Sequence, residues 1–194
     1  TLNGEVDVSS AFSLIAAAVL GGRVQIQNWT SDCTQPDIHF LNLFREMNIS
    51  YTVDGNQFEI CAQSEFKSVR ADLSSCPDLF PVLSVLSAFA QGESVLFNAP
   101  QLKFKESDRI EKTFELLSRC GFQVEKTNEG MIIQGEPKKL YKAKDLILFD
   151  PAHDHRMAMA AALLKIKGFP IQISDMTVVN KSYPQFFQHI GLDS

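Results

Sequence analysis

Asp78-Leu79-Phe80-Pro81-Val82-Leu83-Ser84-Val85-Leu86-Ser87-Ala88-Phe89-Ala90-Gln91-Gly92 opens on a carboxylate, runs through an almost wholly apolar stretch and closes on a glycine fourteen residues after the aspartate. The same frame occurs twice more: Asp7 precedes an apolar run ending at Gly21, and Asp154 precedes one ending at Gly168, each again fourteen residues on. Self-similarity at fixed spacing marks a repeated structural unit, whose copies bury their apolar faces against one another. A short β-rich run follows each glycine, at 23–28, 94–98 and 170–174. Thirteen or fourteen residues past the glycine stands a polar corner led by Gln35, Lys105 or Lys181, and then a second helical pattern.

Within the first unit, Phe12, Ile15, Ala16 and Val19 share one helical face, and Gly21-Gly22 ends the run. A second helix is expected from Pro36, with Ile38, Leu41, Phe44 and Met47 inward, because proline suits a first helical position. Strands at 50–53 and 57–61 are expected to form a hairpin about Asp54-Gly55-Asn56. In the second unit the stretch 78–90 predicts a helix buried on most sides. A further helix carries Ile110, Phe114 and Leu117, and a hairpin joins 122–126 to 131–134 through Asn128-Glu129-Gly130. The third unit has a strand at 146–149, an Ala-rich helix from His155 to about 165 and a last helix from near Pro184 to Gly191, with no hairpin after it.

The expected architecture is an α/β (α+β) domain over 1–194 built from β-α-β-α-β-β units, about 1–66, 67–141 and 142–194, with pseudo-threefold symmetry. Their first helices are central, their sheets are outside and the third repeat is incomplete. A doubly wound parallel sheet is the alternative, and the two hairpins speak against it.

A chain of 194 residues, 45% hydrophobic and 21% charged, suffices for one well-buried core. No apolar stretch approaches the roughly 20 residues that span a bilayer, and 1–4 lacks the pattern of a signal peptide. The start at Thr1 fits a piece of a longer chain. Cys33, Cys61, Cys76 and Cys120 show no metal-type spacing and no disulfide framework, so reduced thiols in a cytoplasm are expected, with no metal. A net charge of -5 with scattered basic residues argues against a nucleic-acid surface, so any anion binding must be local.

Two charged corners stand out. Lys105-Glu106-Ser107-Asp108-Arg109 sets two cations and two anions around a hydroxyl between a β-rich run and an amphipathic one, and Asp154-His155-Arg156-Met157-Ala158-Met159-Ala160 sits likewise before an Ala-rich helix. Corners of this kind expose side chains where helix N-terminal N–H groups also point, which suits an anionic substrate. Taken singly, such a run is an ordinary solvated first turn, and Asp7, Asp78 and Asp154 are by default N-caps.

With Pro77-Asp78, the Gly4–Ala11 segment with Asp7 and its paired serines, and Lys181 before Tyr183-Pro184, these blocks stand in an order that resembles the C-terminal half of the 5-enolpyruvylshikimate-3-phosphate synthase family. That family's N-terminal half has no counterpart here. The resemblance implies one globular half of a two-domain transferase of the shikimate pathway, an enzyme class targeted by glyphosate. Its partners are the substrates shikimate 3-phosphate and phosphoenolpyruvate and a missing N-terminal domain, with no cofactor, no nucleic acid and no membrane; the half alone is expected to be inactive.

Residue by residue, the resemblance makes Asp78 the carboxylate at the shikimate 5-hydroxyl, as base or as orienting group. Glu106 becomes the acid/base group beside the phosphoenolpyruvate methylene, Lys105 a contact to shikimate 3-phosphate and Arg109 a clamp on phosphoenolpyruvate. Arg156 and Lys181 complete the cationic pocket, with Lys181 near the phosphate or the methylene. His155 is either a proton shuttle or a structural histidine, and Gln101 a candidate contact where some relatives carry asparagine. The related UDP-N-acetylglucosamine enolpyruvyl transferases and a non-catalytic binding module of the same fold are the alternatives. The two intact blocks favour the shikimate enzyme over the first. The joint presence of Asp78, Glu106, Arg109, Arg156 and Lys181 argues against the second.

Overall fold

A computed structural model describes residues 6–30, 32–141 and 145–192 of the chain. Gly4 and part of the lysine-bearing connection at 142–144 lie outside the described residues. The three repeated apolar runs are the helices α1 (Val8–Gly21), α3 (Phe80–Ala88) and α5 (His155–Ile166), and they pack pairwise against one another at the centre. Nearly every residue of each is buried, so α1 is covered on all sides rather than on one stripe. Alanines and serines along these helices let three backbones approach closely without leaving voids. The buried apolar side chains form a single core cluster.

Among the described residues three separate sheets lie around this centre, rather than one doubly wound sheet. The first joins β1 (Arg23–Ile26) to the hairpin β2 (Thr52–Asp54) and β3 (Gln57–Cys61) in the order β1-β3-β2, all antiparallel. Asp54 pairs with Gln57 across a two-residue turn in which Gly55 takes φ 57°, the left-handed conformation that favours glycine. Between β1 and β2, the expected helix from Pro36 is instead a 3-10 turn, Pro36–His39, leading into α2 (Phe40–Glu46). The change of helical pitch rotates the buried face to Phe40, Leu43, Phe44 and Met47, leaving Ile38 and Leu41 only half-buried.

In the second sheet the order is β4-β5-β7-β6, from β4 (Arg70–Asp72), β5 (Gly92–Phe97), β6 (Val124–Thr127) and β7 (Gly130–Gly135), with β4 parallel to β5 and the rest antiparallel. A Cβ on Gly130 would lie 1.9 Å from the Leu96 carbonyl oxygen, so the hairpin packs there only because that residue has no side chain. Helix α4 (Arg109–Arg119) covers this sheet with Ile110, Thr113, Leu116 and Leu117 buried. Among the described residues the third sheet has two parallel strands, β8 (Ile147–Phe149) and β9 (Ile171–Ile173), followed by a 3-10 turn at Thr177–Lys181 and a short α6 (Phe186–His189). It repeats the β4-β5 pairing, and no hairpin closes it among the described residues.

Candidate active site

At one end of the molecule the starts of the three central helices meet the polar corners. Asp7 caps α1: its carboxylate accepts from the Ser9 and Ser10 backbone N–H groups at 3.1 and 3.4 Å and from both hydroxyls at 2.8 and 2.7 Å. Asp154, fully buried, caps α5 by accepting from the Arg156 N–H at 3.0 Å. Asp78 departs from this pattern. Pro77–Leu79 is a 3-10 turn that delays α3 to Phe80, and its N-cap is Cys76, so the Asp78 carboxylate caps nothing and is available to cations.

Those cations come from the other corners. Arg156 Nη2 reaches Asp78 Oδ2 at 3.1 Å and Lys105 Nζ reaches Oδ1 at 3.2 Å. Arg109 donates Nη1 to Asp78 Oδ1 at 2.8 Å, Nε to Asp154 Oδ2 at 2.7 Å, and Nη2 to Asp154 Oδ1 at 3.2 Å and to Glu106 Oε2 at 2.9 Å. Lys181 Nζ holds the other Glu106 oxygen at 2.8 Å. Asp78, Glu106, Arg109, Arg156, Lys105 and Lys181 are thus one ionic network assembled from residues as far apart in the chain as Asp78 and Lys181.

Two residues carry more than the sequence suggested. Arg109, expected as an anion clamp, is 1% exposed with three carboxylates on its guanidinium, so an anion reaches it only by displacing one of them. Asp154 is more than a cap, since it also carries Arg109 and accepts from the Ser107 hydroxyl at 3.1 Å. Desolvation explains both: a guanidinium this deeply buried requires compensating carboxylates, and the helix start supplies one. Sequence reasoning also missed Ser9, whose hydroxyl accepts from Arg156 Nη2 at 2.9 Å. The signal for it was present in the paired serines after Asp7.

The network sets the protonation states. The Lys181 hydrogen bond is the main influence on Glu106; it outweighs the opposing effect of burial and, with Arg109, holds the carboxyl down at about 2. Burial alone would raise Asp78, but Arg156, Arg109 and Lys105 together keep it below the usual carboxylate range. For Arg109 burial is likewise overcome, chiefly by Asp154, and the charged form is favoured. Burial and the adjacent Arg156 lower His155, which therefore stays neutral at neutral pH; its Nδ1 is buried with no hydrogen-bond partner among the described residues. Gln101 donates to the Ser74 carbonyl at 3.3 Å rather than to the network.

The charged end is partly exposed, with 29% of the Asp78 side chain and 32% of the Glu106 side chain in solvent. A cleft of about 780 Å³ beside Glu65, Cys120 and Tyr141, and one of about 590 Å³ between α1, β1 and Tyr183, are not lined by Asp78, Glu106 or Arg109. Among the described residues no cluster suited to a metal ion occurs, and no helix is long and apolar enough to cross a membrane.

A family model described as EPSP synthase (3-phosphoshikimate 1-carboxyvinyltransferase) matches residues 4–190. The 3-phosphoshikimate 1-carboxyvinyltransferase of Pyrococcus furiosus is 37% identical over 186 residues, which are 95% of this chain and 44% of the relative. That of Clostridium novyi is 34% identical over 95% of this chain and 42% of its own length. The chain therefore spans less than half the length of these curated relatives. The EPSP synthase structure from Acinetobacter baumannii superposes with a TM-score of 0.74 at 24% identity, over 96% of this chain and 45% of that one. The enolpyruvyl transferase NikO from Streptomyces tendae superposes with a TM-score of 0.72 at 15% identity, over 98% and 43%. Both share the fold.

Proposed function

We propose, from the premise that this chain belongs to the EPSP synthase family, that it forms one half of an enzyme moving the enolpyruvyl group of phosphoenolpyruvate onto the 5-hydroxyl of shikimate 3-phosphate. The observation that carries this reading is the network at the helix starts, where four cations, Lys105, Arg109, Arg156 and Lys181, are interleaved with Asp78, Glu106 and Asp154.

In the addition step the acceptor oxygen bonds to C2 of phosphoenolpyruvate, its hydroxyl proton leaves and a proton adds to the C3 methylene. In the elimination step the bond from C2 to the phosphate oxygen breaks and C3 returns a proton. Asp78 suits the hydroxyl, as base or as orienting group, because a carboxylate held ionised accepts a hydrogen bond strongly. Glu106 suits the methylene, but a carboxyl held at about 2 is a poor acid. The geometry offers a remedy: an incoming anion that takes Lys181 and the Nη2 of Arg109 removes the two cations that keep Glu106 ionised, so binding and proton uptake are coupled. On this account Arg109 and Arg156 clamp phosphoenolpyruvate once Glu106 has moved aside, and Lys105 meets shikimate 3-phosphate. His155 lies beside Arg156 as a neutral imidazole able to take a proton.

Three carboxylates already engage the four cations of the half-site, which is why the isolated chain should not turn over; closure by the other half would exclude water and add cations. The test is phosphate release by the full-length protein mixed with both substrates. No release from wild-type protein would remove this reading.

A further inference from the structure

The corner of the first repeat carries a carboxylate that the network does not use. Asp37 lies in the 3-10 turn Pro36–His39, and Gln35 ties that turn to the start of α1 by accepting from the Val8 N–H at 2.9 Å and donating to the Val6 carbonyl at 2.8 Å. These bonds fix Asp37 at the same end as Asp7 and Asp78. Its charged surroundings are Asp78, Arg156, Asp7 and Lys105, all members or neighbours of the network.

Asp7, Asp78, Glu106 and Asp154 are each engaged by several named donors, whereas the buried Oδ1 of Asp37 has no hydrogen-bond partner among the described residues. Asp37 caps nothing, and a four-residue turn offers little dipole to reward a charge. A buried oxygen on an otherwise half-buried carboxyl, left unpaired, costs free energy and calls for an explanation in terms of a missing partner. The internal repeat points the same way. Asp37 stands two residues past Gln35 as Ser107 stands two past Lys105, and the Ser107 hydroxyl turns inward to Asp154.

We propose that Asp37 is a further substrate-binding residue of this site, its carboxyl meeting a ring hydroxyl of the acceptor alcohol; the inference rests on the enolpyruvyl-transfer reading. The cations nearby draw the anionic groups of the substrates, so what approaches Asp37 is an uncharged donor. Burial and Asp78 raise the pKa of Asp37, so it takes a proton more readily than its neighbours do. Such a carboxyl can both donate to and accept from a hydroxyl.

The experiment compares wild type, Asp37→Ala and Asp37→Asn in the full-length protein. Asp37→Ala is expected to raise KM for shikimate 3-phosphate about tenfold, the loss of one good hydrogen bond. KM for phosphoenolpyruvate should stay within about twofold and Tm within about 2 °C, the scatter of a surface change. Asp37→Asn, which keeps an acceptor and a donor in place, should recover part of the loss; it also decides the matter if the alanine variant does not fold. An unchanged KM for shikimate 3-phosphate, or equal losses for both substrates, would overturn the assignment. Should the wild type release no phosphate, the functional reading fails on its own. Calorimetric binding of shikimate 3-phosphate then decides Asp37: an affinity about tenfold weaker in the alanine variant supports the contact, while equal affinities, or none in the wild type, reject it.

Discussion

Glu106 is gripped by two cations of opposite character. Arg109, on its inner side, is 1% exposed and shared among three carboxylates; Lys181, on its outer side, has 60% of its side chain in solvent and, among the described residues, this one ion pair. The distances are alike at 2.9 and 2.8 Å. Their environments make the difference. Inside, every donor of the guanidinium is balanced against a desolvation cost that no solvent relieves, so removing one partner strands the others. Outside, water competes for the ammonium, screening is strong and the pair exchanges readily. The inner contact can thus hold three corners in register while the outer one is free to open to solvent.

The largest expected effect tests the inner side. Arg109→Ala in this chain should cost about 3–5 kcal/mol of unfolding free energy, read from the urea midpoint, because Asp154 would be left buried and unpaired. Arg109→Lys should recover only part, since an ammonium cannot serve three carboxylates with the planar fork. A loss under about 1 kcal/mol, the range of exposed pairs, would erase the contrast. On the proposed reading, Lys181→Met in the full-length protein should lower kcat by about a hundredfold to a thousandfold with Tm shifted by no more than about 4 °C, as expected for the loss of one transition-state electrostatic partner. Unimpaired turnover would mean that Lys181 only covers Glu106.

A smaller effect is expected in acid. Glu106 is held at about 2 against an ordinary 4.5, so its contribution is fully present above pH 4.5 and is lost as the pH falls toward 2. Asp78 and Asp7, both lowered from 3.8, add losses in the same direction. Glu106→Gln should make the acid limb of stability shallower. Lys181→Ala should move the Glu106 titration, followed by carboxyl NMR, upward toward 4.5, and a titration that stays near 2 would assign the shift to Arg109 instead. The smallest effect belongs to the outer side in the isolated chain: Lys181→Ala should change unfolding free energy by no more than about 1 kcal/mol.

Much of this was legible beforehand, for reasons that differ from residue to residue. The recurring spacing from aspartate to glycine located α1, α3 and α5, although the helices differ in length (14, 9 and 12 residues) because the Pro77–Leu79 turn delays α3 and Gly92 already belongs to β5. Both hairpins were readable from turn chemistry that depends only on neighbouring residues. The face of α2 was not, since whether Pro36–His39 winds as a 3-10 turn depends on Gln35 reaching Val6 and Val8 twenty-seven or more residues back. Asp37 was overlooked for the same reason. An acid after a proline looks like any solvated first turn until the fold shows one of its oxygens buried and, among the described residues, unpartnered.

The sequence by itself determined the repeat, the helix starts and the set of charged residues at the corners, all of which follow from local pattern and from chemistry carried by single side chains. Only the tertiary structure decided which of those charges face one another. Asp78 and Asp154 occupy equivalent places in their repeats, yet one is a half-exposed acceptor for three cations and the other is fully buried against Arg109. That distinction comes from the 3-10 turn that delays α3 and from the depth at which α4 begins. Burial and pairing are properties of the assembled core, and no stretch of chain carries them alone.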